Sequence, residues 1–153
     1  MHEKSRDIVI RKLEEGDAGD VSEIYSLITQ KPVGPDFTRL VVEHAYRDDH
    51  EAPFVAELDG RVVGFMISYI VTLGFGAEEN AYIATMGVHP RYMGQGIGTK
   101  MTKEVFKFYQ ARGVDHVYTS VRWDSTDLLS FCKTMGFERS DFINLQRELG
   151  GAD

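Results

Sequence analysis

The densest chemistry in the sequence lies in Val88-His89-Pro90-Arg91-Tyr92-Met93-Gly94-Gln95-Gly96-Ile97-Gly98-Thr99-Lys100. A β-rich stretch runs into Pro90, which cannot extend a ladder, and three glycines then alternate with larger residues where an amphipathic run begins. The first amides of a helix lack intrahelical acceptors and carry the positive end of the helix dipole. Glycines let such a backbone curl closely around an anion, so the segment reads as a cradle for a diphosphate. The dinucleotide fingerprint G-x-G-x-x-G fails, because Gly94 and Gly96 demand a third glycine where Thr99 stands. The P-loop pattern G-x-x-x-x-G-K-[ST] cannot be placed either. What does fit is Val88-x-Pro90 followed by Arg91-x-x-Gly94-x-Gly96; the alternative is a glycine-rich connection that holds no ligand.

The elements that must position this loop follow from hydrophobic period and punctuation. Ile8 to Leu13 reads as an opening strand. Asp17 caps a helix to about Thr29, with Val21, Ile24, Tyr25 and Ile28 on one stripe. Pro32-Val33-Gly34-Pro35 interrupts, and Asp36 starts a second helix that reaches His50. Phe54–Leu58 and Arg61–Ile67 flank Asp59-Gly60, the signature of a type I′ hairpin. Gly74 to Asn80 is a loop, and Ala81 to Val88 returns as a strand. Ile97, Met101, Val105 and Phe108 mark a helix ending at Gly113. His116 to Val121 is a strand, Asp124 or Ser125 opens a short helix that Gly136 closes, and Phe142 to Leu145 forms a last strand. The order β-α-α-β-β-β-α-β-α-β, with no repeat or linker, describes one α/β (α+β) domain over 1–153 with helices covering a mixed sheet.

In that setting, Val88-x-Pro90 with Arg91-x-x-Gly94-x-Gly96 resembles the pyrophosphate loop of the GNAT superfamily of N-acetyltransferases. The likeness covers nearly the whole chain, to Met135-Gly136-Phe137, which is similar to the superfamily's last motif. The resemblance implies a mixed, mostly antiparallel sheet with splayed fourth and fifth strands and flanking helices. It implies acetyl-CoA as co-substrate, with the pantetheine arm in the splay. Carried over by position, the backbone of Met86, Gly87 and Val88 pairs with pantetheine and thioester. The amides of Arg91, Gly94, Gln95, Gly96, Ile97, Gly98 and Thr99 then bound the pyrophosphate.

Acetyl transfer to an amine needs a neutral amine, a donor for the oxyanion, and protonation of the leaving thiolate. The amide of Gly87 or Val88 is the expected oxyanion donor, with Gly87 allowing a bulge that aims it. Counting back from Gly136-Phe137, the superfamily's usual tyrosine falls on Cys132 and its usual asparagine on Ser125. A thiol with a reference pKa of about 8.5 donates a proton but reaches less far than a phenol. Cys132 is therefore an acid candidate, with a covalent acyl-cysteine as a further option and packing beside Leu128, Leu129 and Phe131 as the bland alternative. Tyr82, Tyr109 and Tyr118 are the available hydroxyls. By the same carry-over, the resemblance implies that Ser125 bonds the pantetheine chain. Tyr82 also stands where relatives carry a glutamate base, and Glu43, His44, Glu57, Glu78, Glu79 and His89 are the other titratable candidates. Tyr69, Phe75, Tyr82 and Trp123 are candidates for an acceptor pocket, against the default of core packing.

Composition narrows the partners. The chain has 153 residues, 42% of them hydrophobic, and a net charge of −7. An acidic balance disfavours nucleic acid and anionic membranes and favours a cationic acceptor, which Asp36, Asp48, Asp49, Glu78 and Glu79 would attract. The single cysteine excludes an internal disulfide and a Cys-rich zinc site, and no metal is expected. Phe65 to Phe75 is too short to span a bilayer, and the charged start lacks a secretory h-region, so the expectation is a cytoplasmic protein. The acceptor expected is an amine on a small molecule or peptide, and the resemblance adds a homodimer through an edge or terminal strand. The rival function is an acyl-CoA-binding sensor or regulatory domain without turnover, motivated by the departures at Cys132, Ser125 and Tyr82.

Overall fold

A computed structural model describes residues 7–45 and 51–150. Five strands, β1 (Ile8–Lys12), β2 (Phe54–Leu58), β3 (Arg61–Val71), β4 (Asn80–Val88) and β5 (Val117–Thr119), form one sheet in the order β1-β2-β3-β4-β5. The first four are antiparallel and β5 runs parallel to β4. The β2–β3 turn is the type I′ hairpin that Asp59-Gly60 announces, with φ of 52° and 78° at the two residues.

Helices cover both faces, as a sheet with two apolar faces requires. On one face α1 (Ala18–Thr29) and α2 (Pro35–Ala45) bury Val21, Ile24 and Val41 against Val55, Phe65 and Ile67. On the other, α3 (Ile97–Gln110) seats Ile97, Met101, Val105 and Tyr109 on Phe54, Ala56, Met66, Ala81 and Ile83, with α4 (Thr126–Thr134) beside it. Within that second core the Tyr109 hydroxyl accepts from the Ala52 amide at 3.0 Å and bonds Ser68 Oγ at 2.8 Å, and Ser68 donates to the Ala52 carbonyl at 2.7 Å.

Four expectations change. Asp17 occupies the position before α1 but does not cap it; its carboxylate takes both Arg11 guanidinium nitrogens, at 2.8 and 2.9 Å, and the Glu14 amide at 2.8 Å. Asp36 lies inside the first turn of α2, because Pro35 is pre-organised for that first position; the expected extension of α2 to His50 falls on residues 46–50, outside the described residues. β3 runs on to Val71, while β5 stops at Thr119. Phe142 to Leu145 forms no strand. With β5 only three residues long there is little edge to pair with, and the segment is held by side chains instead. Phe142 packs on Tyr118 with ring centroids 5.7 Å apart, and Asn144 Nδ2 donates to Ser120 Oγ at 2.9 Å. Among the described residues no helix is long and apolar enough to cross a membrane.

Candidate active site

The glycine loop joins β4 to α3. His89 holds its entry: its own amide continues the sheet by donating to the Val63 carbonyl at 2.8 Å, and its Nδ1 accepts from the Arg91 amide at 3.1 Å. A short 3-10 turn, Pro90–Tyr92, follows. Gly94 and Gly96 then adopt φ of 81° and 80°, the left-handed region that favours glycine, and a β-carbon on either would meet no atom within 4 Å. The first intrahelical bond of α3 is Lys100 N–H to the Gly96 carbonyl, at 3.0 Å. The amides of Ile97, Gly98 and Thr99 therefore have no acceptor within their own helix. Open space in front of two left-handed glycines and a bare helix N-terminus fits a diphosphate. Of the amides expected there, that of Arg91 is already engaged by His89.

The strand feeding this loop carries the second part of the site. Residues Gly64 to Ile67 of β3 pair with Val88 to Thr85, whereas Ser68 pairs with Ile83, so Ala84 is an extra residue in β4, a bulge. Counting strictly by two from Ile83 would turn the Gly87 amide away from β3; the bulge shifts that count by one. Given the His89 to Val63 bond, alternation turns the N–H and C=O of Gly87 into the β3 ladder and those of Met86 and Val88 away from it. Of the two amides expected as oxyanion donors, Val88's is the one so directed. The bulge expected at Gly87 is at Ala84. Gly87 is small for another reason: a β-carbon there would fall 2.6 Å from Ile28 Cδ1 and 2.9 Å from the Phe65 ring.

On its far edge β4 pairs with β5 only through Ala81, Tyr82 and Ile83, opposite Val117, Tyr118 and Thr119. Beyond Ile83 the strands part around a cleft of about 180 Å³, with Ala84, Thr85 and Met86 on one side and Thr119, Ser120 and Val121 on the other. Leu128, Phe131 and Cys132 of α4 close it. Cys132 is 8% exposed, and burial raises its thiol pKa, keeping it protonated at neutral pH. Ser125 stands at the N-cap of α4 without capping it and lies outside the cleft walls. A second, wider gap of about 1160 Å³ between β5 and the C-terminal segment shares Thr119, Cys132 and Phe137 with the cleft and reaches Tyr82, Tyr118 and Phe142.

The remaining candidates scatter. Tyr82 turns to the α1/α2 face, where its ring centroid lies 5.8 Å from that of Tyr69, which in turn stacks on the buried His44 at 5.3 Å. Tyr109 is spent on Ser68 and Ala52. Glu57, on β2, lies 3.6 Å from Arg11. Glu78 and Glu79 are exposed in the β3–β4 loop, Asp36 pairs with Arg39 at 3.9 Å, and Asp48 and Asp49 lie outside the described residues. Phe75 and Trp123, considered for an acceptor pocket, are fully and 86% exposed. Thr119 escaped the sequence reading, since a threonine in a strand carries no motif; its hydroxyl donates to the Ile83 carbonyl at 2.9 Å, where the strands part.

The sequence model of the "Acetyltransferase (GNAT) family" matches residues 19–137. Among solved structures, the chain resembles an aminoglycoside N-acetyltransferase, AAC(6')-Iy, in complex with CoA (TM-score 0.78, 18% identity, covering 98% of this chain and 100% of that one). It also resembles an aminoglycoside acetyltransferase from an uncultured soil metagenomic sample, in complex with sisomicin (TM-score 0.76, 21% identity, 94% and 97% covered). A possible acetyltransferase from Clostridium difficile 630 gives a TM-score of 0.79 at 13% identity, with 94% and 99% covered. At these identities the structural likeness is one of fold.

Proposed function

Since the chain belongs to the GNAT family of acetyltransferases, we propose that it transfers an acetyl group from acetyl-CoA to a primary amine of a small molecule or peptide, by direct attack in a ternary complex. One observation carries this reading. The glycine cradle, the outward backbone of Met86 and Val88, and the Cys132 side of the cleft follow one another along the gap that opens beyond Ile83. A thioester-bearing chain with a diphosphate at its far end is the ligand class that such a sequence of contacts suits.

When bound, acetyl-CoA supplies a thioester whose acyl carbon accepts the amine and whose sulfur departs as thiolate. The protein's part is positional and electrostatic. Amides of Gly94, Gln95, Gly96, Ile97, Gly98 and Thr99 neutralise the diphosphate, and the Met86 and Val88 backbone aligns the pantetheine arm. The Val88 amide donates toward the acyl oxygen as charge develops there. Cys132, protonated at neutral pH, is the proton donor on the leaving-group side. Tyr82, on the opposite face of β4, is the group in this reading that relays the amine's proton.

The net charge of −7 favours a cationic acceptor, and the aminoglycoside-modifying neighbours support the small-molecule arm of the proposal. The test is release of free CoA thiol from acetyl-CoA with a panel of aminoglycosides, polyamines and short peptides. Amine-dependent release supports the enzyme; tight acetyl-CoA binding without release for any amine would make the domain a sensor instead. A homodimer belongs to the same proposal, with Ile143, Leu145 and Leu149 74%, 88% and 84% exposed in the C-terminal segment; the mass in solution tests it.

A further inference from the structure

The cleft begins at one hydrogen bond, and that bond is made by a side chain. The β4–β5 ladder is parallel, and it starts with the Ala81 amide donating to the His116 carbonyl at 3.1 Å. Carried forward with the alternation of a parallel ladder, the Ile83 carbonyl would next accept the Ser120 amide, and the two strands would zip together past Ile83. At that level the Thr119 hydroxyl donates to the Ile83 carbonyl at 2.9 Å. The next residue, Ser120, is tethered through its Oγ, which accepts from Asn144 Nδ2 at 2.9 Å. The bulge at Ala84 follows immediately on β4, so both strands change course at the same level.

We infer that Thr119 is a positioning residue for coenzyme binding: its hydroxyl occupies the Ile83 carbonyl, ends the β4–β5 ladder there, and with the Ser120–Asn144 tether holds the cleft open beside Cys132. This rests on the acetyl-CoA reading above and adds to it the device that fixes the width of the gap. Without the hydroxyl, the Ile83 carbonyl is left to the Ser120 amide, because a part-buried carbonyl without a partner is costly. Val121 would then be drawn toward Met86, across the space that the pantetheine arm needs.

Thr119→Val keeps shape and β-branching and removes only the hydroxyl, while Thr119→Ser restores it. In calorimetric titration, Thr119→Val should bind acetyl-CoA about tenfold more weakly than wild type, the loss expected for one hydrogen bond's worth of geometry. Thr119→Ser should stay close to wild type, and adenosine diphosphate, which touches only the cradle, should bind all three proteins alike. In turnover the loss should appear in KM for acetyl-CoA with kcat nearly kept; a general loss of folded protein would lower the rate per mole and leave KM alone. Equal acetyl-CoA affinity in Thr119→Val and wild type overturns the inference. If wild type itself binds no acetyl-CoA, the coenzyme reading falls, and amide exchange on the unliganded proteins decides the ladder claim. Slower exchange at Ser120 in Thr119→Val supports it, and unchanged exchange sinks it. Should Thr119→Val not fold, wild type alone suffices: fast exchange at Ser120 beside a protected Ile83 supports the fork, and a protected Ser120 overturns it.

Discussion

Gly98, in the first turn of α3, faces the Phe131 ring of α4 so closely that a β-carbon built on it would lie 3.4 Å from Cζ and 3.8 Å from Met86 Cε. The helix that offers its amides to a diphosphate is thus in contact with the helix that carries Cys132, and with the strand between them. A side chain at 98 has nowhere to go except into that junction, whereas one at Gly96 would project into the open space before the cradle.

Gly96→Trp and Gly98→Trp should therefore both weaken acetyl-CoA binding, by different routes. We expect each to cost at least about 100-fold in affinity, or about 2.7 kcal/mol, measured by calorimetry. Gly96→Trp should retain the melting temperature more nearly than Gly98→Trp, which must displace Phe131. Unchanged affinity in Gly96→Trp would remove the pyrophosphate from this loop.

Cys132 as proton donor has a pH signature. Burial raises its thiol pKa, and an acid works while it is protonated, so the Cys132 contribution to the rate should be constant through neutral pH and be lost only as the pH rises past that raised value, giving an alkaline fall. Cys132→Ala should lower kcat by about 100-fold, the usual scale for losing a general acid, abolish the alkaline fall, and leave acetyl-CoA affinity nearly unchanged. A variant as fast as wild type would make Cys132 a packing residue.

Arg11 and Asp17 predict an acid limb of stability. Burial alone would raise the Asp17 pKa, but the Arg11 hydrogen bonds and the Glu14 amide hold it below the usual carboxylate value. A depressed carboxylate stabilises the fold above its unfolded pKa, about 3.9, and that stabilisation is lost as pH falls through the folded value. Asp17→Asn should unfold more readily at pH 7, by about 1.5–3 kcal/mol, and should lose less stability than wild type between pH 5 and 2. Parallel pH profiles of melting temperature for the two proteins would contradict this.

Tyr109→Phe removes the hydroxyl that accepts the Ala52 amide and bonds Ser68. Ser68 keeps its bond to the Ala52 carbonyl, so one buried amide is orphaned, at a cost of about 1–3 kcal/mol. The urea midpoint should fall with the slope unchanged. A midpoint equal to wild type would mean that the Ala52 amide finds another acceptor.

The sequence was most legible where local chemistry decides. Asp59-Gly60 specifies its turn by backbone conformation, the stripe Ile97, Met101, Val105 sets the buried face of α3, and the alternation of glycines at 94 and 96 marks the cradle. It was least legible where a partner from elsewhere decides. Asp17 looks like a cap until Arg11 is brought against it by the sheet. Ala84 has nothing to mark it as an extra residue, yet it determines whether Gly87 or Val88 directs its amide toward β3. Phe142 to Leu145 is apolar enough for a short closing strand, but its composition cannot reveal that β5 ends at Thr119. Thr119 itself is one threonine among several until the strands part at Ile83.

The central claim is that this fork holds a coenzyme A thioester, and calorimetric titration with acetyl-CoA tests it most directly, with adenosine diphosphate and NADH as controls. Saturable binding of acetyl-CoA, tighter than either control, is the result predicted, because the cradle and the cleft both contribute. Absence of acetyl-CoA binding, or NADH binding as tight, would contradict the account.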